Sequence, residues 1–308
     1  MEPVIAIDNL SKCYRNKKFR MVQALRGLCL QIQPGEVFGF LGPNGAGKST
    51  TIKTLMGLIR PTAGCARLFG VPVELPKARQ RVGYLPENPA FYDHLTARAY
   101  LRFVAAAFDL APATVARQSQ WVLELLDLQA AADRPIRGYS KGMVQRLGLA
   151  QALVHDPDLY ILDEPLSGLD PIGRALVKDI ILELKKQGKT VFFSTHVTAD
   201  AERVCDRIGV IVGGVLQAER QVSELLREGV EGYYCRVRPG ADEMLSIEGA
   251  VVCGEGVIEV FVPRQEFDIF AARLVNQGGA FDLIEPRRRD VEDYFLSLVE
   301  DAGENSCG

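Results

Sequence analysis

No apolar run in the sequence approaches the roughly 18 to 20 residues needed to cross a bilayer, so any membrane role must come through a partner. The N-terminal stretch Met1-Glu2-Pro3-Val4-Ile5-Ala6-Ile7-Asp8 lacks the basic start and long apolar centre of a secretory signal, and a cytoplasmic location is expected. Paired cysteines are missing too. The seven present, Cys13, Cys29, Cys65, Cys205, Cys235, Cys253 and Cys307, are scattered without the short spacings of zinc or redox motifs, so reduced, mostly structural thiols are expected. Charge is balanced, with 36 lysines and arginines against 39 acidic residues and a formal net charge of −3. That leaves no general attraction for a polyanion, and nucleic acid is not an expected partner. Internal repeats and low-complexity tracts are absent as well. What is there is 308 residues, 47% of them hydrophobic, enough for one large domain or two modest ones without disulfide staples.

From Val4 to Phe40 apolar residues tend to alternate, as in Leu28-Cys29-Leu30-Gln31-Ile32, and turn signals such as Gln33-Pro34-Gly35 divide the runs, which predicts short strands. Glu36 to Leu41 reads as a buried strand. Thr50 to Leu58 reads as a helix with Ile52, Leu55, Met56 and Ile59 on one face. Between Thr96 and Leu128 alanine, leucine and arginine dominate, and Trp121, Leu125 and Leu128 at helical spacing predict a helical subdomain, about 88–155. Leu159-Tyr160-Ile161-Leu162 and Val191-Phe192-Phe193, with a helical stretch from Gly173 to Lys186 between them, predict neighbouring parallel strands joined by a crossover helix. Arg227-Glu228-Gly229-Val230-Glu231-Gly232 reads as a linker. Beyond it, alternation at Tyr234 to Arg238 and Val257 to Val262, with helices from about Arg264 to Gln277 and Asp290 to Glu300, predicts a smaller α+β domain. The expected organisation is therefore a nucleotide-binding domain over 1–229 and an accessory domain over 230–308.

Gly42-Pro43-Asn44-Gly45-Ala46-Gly47-Lys48-Ser49, followed by Thr50, has the glycine, four residues, glycine, lysine, serine spacing of a phosphate loop, in strand-to-helix context. Its glycines allow successive backbone N–H groups to curl around phosphate oxygens, and the helix that follows adds its positive end. Lys48 is expected to bridge the β- and γ-phosphates of ATP and Ser49 to ligate Mg²⁺. The strand Leu159 to Leu162 then delivers Asp163 and Glu164 at its carboxyl end, where open α/β sheets place ligands. Asp163 is the expected holder of Mg²⁺ through water, and Glu164 the carboxylate that polarises the attacking water.

Tyr139-Ser140-Lys141-Gly142-Met143 before a helical run resembles the signature of ATP-binding-cassette proteins; Ser167-Gly168-Leu169-Asp170 resembles their D-loop, and His196 their switch histidine. The resemblance implies a P-loop NTPase (RecA-like) α/β core with antiparallel β and α-helical subdomains, and an ATP hydrolase. It also implies a head-to-tail homodimer in which ATP lies between one cassette's phosphate loop and Ser140, Gly142 and Asp170 of the other. Ser140 alone would also serve as an ordinary helix N-cap. By the same resemblance Tyr14 matches the aromatic that stacks on adenine, and Glu87, in Gly83-Tyr84-Leu85-Pro86-Glu87, stands where the family usually has a metal-contacting glutamine. Lys141 and Met143 also depart from the commoner glycine and glutamine. With Pro171-Ile172-Gly173-Arg174 and the tail Asp290-Val291-Glu292-Asp293-Tyr294-Phe295-Leu296, the variants are similar to cassette subunits of bacterial ABC-2-type exporters. That implies a separate membrane permease as partner, contacted through Glu87 and a helical segment from Phe91 to Phe103, with the chain peripheral at the inner face of the membrane. A soluble cassette ATPase acting on ribosomes or nucleic acid is the alternative. A regulator using Arg287-Arg288-Arg289 as a binding patch is a third, although a charge run also serves as a solvated face.

Overall fold

The structure, a computed structural model, describes residues 2–15, 21–228, 230–238, 250–254, 257–288 and 291–304. The chain divides into two compact units, Met1–Arg220 with Ser297–Gly308, and Gln221–Leu296.

In the first unit, β1 (Ile5–Arg15) and β2 (Met21–Ile32) pair antiparallel, and with β4 (Ala63–Leu68) and β5 (Val71–Pro72) form a four-stranded sheet in the order β2-β1-β4-β5. These first strands are 11 and 12 residues long, not short. Register shifts around Asn9 and Lys12 let them continue past points where strict alternation lapses.

The second sheet has six strands: β3 (Val37–Leu41), β6 (Val82–Leu85), β7 (Leu159–Asp163), β8 (Thr190–Thr195), β9 (Arg207–Val212) and β10 (Val215–Gln221), in the order β10-β9-β3-β8-β7-β6. β9, β3, β8, β7 and β6 run parallel, as expected for β7 and β8. α1 (Lys48–Leu55) places Ile52 and Leu55 in one core with Ile5, Leu28 and Leu68 of the first sheet and Phe38, Phe40 and Phe192 of the second. Phe192 packs between Phe38 and Phe40, with ring centroids 5.9 and 5.5 Å away. The intervening Gly39 faces Cys205 and Ala201 at the end of α6 (Thr198–Val204), so β3 is covered on both sides. α5 (Pro171–Lys186) is the crossover between β7 and β8 and buries Val177, Ile180, Ile181 and Leu184.

The helical segment comprises α2 (Ala97–Ala106), α3 (Pro112–Leu125) and α4 (Lys141–Leu153). Helix α2 starts at its N-cap Thr96, whose side chain accepts from the Ala99 N–H, so the expected helix from Phe91 begins six residues late. Trp121 is 40% exposed, and α3 buries Ser119, Val122 and Leu123 instead of a Trp121 stripe. Both stripes have helical spacing, and packing selects the one whose aliphatic side chains fit the core. Leu128 is buried beyond the end of the helix. α4 lies close on β6 because Gly83 has no Cβ, which would otherwise stand 2.3 Å from the Ala152 carbonyl oxygen.

In the second unit α7 (Val222–Glu228) is followed at once by β11 (Val230–Arg238), which corrects the expected linker over 227–232. β11, β12 (Val251–Gly254), β13 (Val257–Pro263) and β14 (Ala280–Arg288) form an antiparallel sheet in the order β12-β13-β11-β14. α8 (Phe267–Asn276) contributes Leu274 to a core with Cys235, Val237, Ile258, Val260 and Val262. The last element is α9 (Val291–Glu304), of which Val291–Leu296 belongs to this unit. Arg287 of the basic run is 3.5 Å from Glu231, while Arg289, Asp290 and Cys307 lie outside the described residues. Cys13, Cys29, Cys65, Cys205, Cys235 and Cys253 are free thiols; only Cys205 and Cys235 are buried, so the expectation of mostly structural cysteines is too broad.

Candidate active site

The phosphate loop connects β3 to α1. At its last turn Gly47 adopts φ 115°, a conformation that a side chain strains, and a Cβ there would meet the Ala24 carbonyl oxygen at 2.8 Å. Gly47 is also the N-cap, with no side-chain cap and no acidic residue in the first turn of α1, so the orphan N–H groups of that turn are left for an anion. Pro43 to Thr50, Glu87 and Glu164 line one cleft of about 330 Å³.

Lys48 is only 6% exposed. Its Nζ donates to the carbonyls of Gly42 (2.6 Å) and Pro43 (3.3 Å) and stands 3.5 Å from Glu164 Oε1. Three oxygen partners offset the cost of burying the ammonium. The Ser49 hydroxyl donates to Asp163 Oδ1 at 3.3 Å.

Parallel pairing of β7 with β8 sets Asp163 beside Ser194. The Ser194 hydroxyl donates to Asp163 Oδ1 (2.6 Å) and accepts from the Glu164 N–H (3.0 Å), so one buried serine fixes both carboxylate residues. Gln145 of α4 donates to the Glu164 carbonyl at 3.2 Å. Glu164 itself has φ 50°, and this left-handed turn at the strand end carries its carboxylate to the cleft. There His196 Nδ1 lies 3.0 Å from both carboxylate oxygens. Burial, and then the charge of Asp163, push the Tyr84 hydroxyl up to about 12, so it stays neutral beside the carboxylates.

Mg²⁺ fits these donors. Asp163 is 1% exposed and its Oδ2 is buried without a hydrogen-bond partner, while Ser49 contacts the other oxygen of the same carboxylate. These are hard oxygen donors of the kind Mg²⁺ takes. Among the described residues no cluster of three His, Cys, Asp or Glu side chains forms a metal cage. A cation shared between one or two protein oxygens and nucleotide phosphates needs none.

Gly42, Asp163 and His196 join the cleft only through Lys48, Ser49 and Glu164, and Ser140, Gly142, Asp170 and Tyr14 do not line it. Ser140 is the N-cap of α4, accepting from the Met143 N–H at 3.3 Å, and Asp170 is the N-cap of α5, accepting from the Gly173 N–H at 2.8 Å. These two helix starts are neighbours, with the Lys141 side chain lying over Gly168. Tyr14 is exposed near the end of β1, with Lys12 Nζ 5.2 Å from its ring. Sequence reasoning gave no role to Ser194 or Gln145; Ser194, two residues before His196 in a predicted strand, was the available signal.

Residues 25–167 match the ABC transporter family model. An uncharacterised ABC transporter ATP-binding protein of Synechocystis sp. is 39% identical, over 97% of this chain and 86% of its own. The chain belongs to the ATP-binding subunits of ABC transporters. This is an ATPase family whose cofactors are ATP and Mg²⁺. A Bacillus subtilis relative, also an uncharacterised ABC transporter ATP-binding protein, is 42% identical over 96% of this chain and 99% of its own. The Nod factor export ATP-binding protein I of Cupriavidus metallidurans is 36% identical over 97% and 98%. Among solved structures, an ATP-binding subunit of an ABC transporter superposes with a TM-score of 0.67 at 31% identity, covering 73% of this chain and 92% of its own. A dimeric cassette in a post-hydrolysis state bound to ADP and Pi matches the fold with a TM-score of 0.66 at 24% identity, covering 71% and 98%.

Proposed function

We propose that this subunit drives a separate membrane permease, of the ABC-2 export type, through ATP-dependent pairing of two copies. The observation that carries the reading is the Glu164 carboxylate at the phosphate-loop cleft, 3.0 Å from His196 and 3.5 Å from Lys48. In the proposed cycle the loop amides and Lys48 hold the triphosphate, with Lys48 between the β- and γ-phosphates. Ser49 and Asp163 hold Mg²⁺, which when bound neutralises phosphate charge, and Glu87 contacts the metal or its water. Glu164 polarises the attacking water and His196 orients it. Tyr14 stacks on adenine. One chain has one phosphate loop and one signature, so Ser140, the Gly142 N–H and Asp170 serve the ATP held by the partner copy, presenting a hydroxyl, a backbone donor and a helix N-terminus to its γ-phosphate.

One observation supports a permease. Tyr92 and Phe103 are largely exposed yet pack edge to face at 6.1 Å, an apolar patch suited to a partner. The export assignment draws on the Nod factor export relative.

The test is the oligomeric state of Glu164→Gln by light scattering. With saturating Mg²⁺ and ATP the variant is expected to accumulate as a dimer; a protein that stays monomeric contradicts the reading.

A further inference from the structure

We propose that Glu87 makes nucleotide binding obligatorily linked to a divalent cation, by adding to the phosphate cleft a carboxylate that no protein cation neutralises. The inference rests on the assignment of that cleft to ATP. The β6/β7 register runs from Val82 beside Leu159 to Leu85 beside Leu162. Glu87 follows Leu85 by two residues as Glu164 follows Leu162, and both line the cleft.

Their circumstances differ. Lys48 is the only cation among the lining residues, and it and His196 are both engaged with Glu164. Glu87 is exposed and has no hydrogen-bond or ion-pair partner among the described residues. Behind the cleft, the buried Oδ2 of Asp163 also lacks a hydrogen-bond partner. The cleft thus carries one carboxylate without a partner among the described residues, Glu87, and behind it lies the Asp163 carboxylate, which is held by the Ser49 and Ser194 hydroxyls and by no cation. A metal-free triphosphate meets added repulsion from Glu87 there, set against the attraction of the loop amides and Lys48, whereas a cation delivered with the nucleotide converts that carboxylate into an attractive partner. At the few-ångström separations of a single cleft, one such charge is worth at least about tenfold in affinity.

The experiment is calorimetric titration of the full chain with the β,γ-imido analogue of ATP, once with Mg²⁺ and once with EDTA, for the wild type, Glu87→Gln and Glu164→Gln. The wild type should bind well with Mg²⁺ and at least about thirtyfold more weakly with EDTA. Glu87→Gln, a near-isosteric change on an exposed loop, should narrow that ratio by at least about tenfold, mainly through tighter metal-free binding. Glu164→Gln, whose charge is already paired, should narrow it less. Equal ratios in the wild type and Glu87→Gln, with Mg²⁺-dependent binding intact, overturn the inference and leave the ATP assignment standing. No binding by the wild type even with Mg²⁺ removes the assignment and the inference together.

Discussion

The two units of this chain bury different chemistry. In Met1–Arg220 the buried set includes Lys48, Gln145, Asp163, Glu164, Ser194 and Asp200; in Gln221–Leu296 every buried residue among those described is apolar or cysteine, and the ion pairs are at the surface. The contrast follows from the sheets. A parallel sheet covered on both faces ends its strands together, and those ends can hold polar groups away from water; an antiparallel sheet with one covered face offers no such enclosure. Burying charge is costly unless each group is paired, and the first unit meets that cost only where the pairs also build the cleft or brace the loops around it.

Asp200 offers the strongest way to break the comparison. It is held by Arg174 (2.5 Å) and Lys178 (2.6 Å), joining α5, which follows Asp170, to α6, which follows His196. Asp200→Ala strands a largely buried lysine and should cost about 3–5 kcal/mol in denaturant unfolding. A cost below 1 kcal/mol would mean that the buried charges here are no different from surface ones. In the other unit Ile258→Ala removes a fully buried side chain and should cost about 2–5 kcal/mol, located by hydrogen exchange in β11 and β13, with nucleotide affinity unchanged. A matching loss of ATP binding would show that the two units are not separable in function.

A smaller effect depends on pH. The His155 ring stacks on Phe108 with centroids 3.7 Å apart, Nε2 donates to the Val82 carbonyl at 3.1 Å, and burial pushes its pKa down from 6.5 to about 4. Between those values the unfolded chain takes up a proton that the folded one refuses, so stability falls as pH drops through this window and the loss is complete near pH 4. It amounts to about 3 kcal/mol at most. His155→Phe should flatten that part of the stability profile, and an unchanged slope would contradict the burial argument. The smallest effect is expected at Arg238, paired with Asp282 on the surface: Arg238→Ala should leave the denaturant midpoint nearly unchanged.

The same contrast explains what could be read from sequence. The strand, loop and helix around Gly47 and Lys48 were legible because that geometry is local: both residues lie at the helix start itself. The placement of Asp163, Glu164 and His196 was legible because each lies at the end of a recognisable apolar strand. Ser194 was not, since its role exists only once β7 and β8 lie side by side in a given register. Trp121 misled because two stripes of α3 have helical spacing and only tertiary packing chooses between them. The supposed linker failed because Gly232 breaks the apolar pattern yet lies within β11, which runs from Val230 to Arg238.

ATP turnover by Glu164→Gln, measured beside its affinity for Mg²⁺-bound ATP, tests the central claim most directly. The expected result is a fall in hydrolysis of about 10²- to 10⁴-fold with nucleotide still bound. Wild-type turnover in that variant would contradict the assignment of Glu164 as the group that activates water.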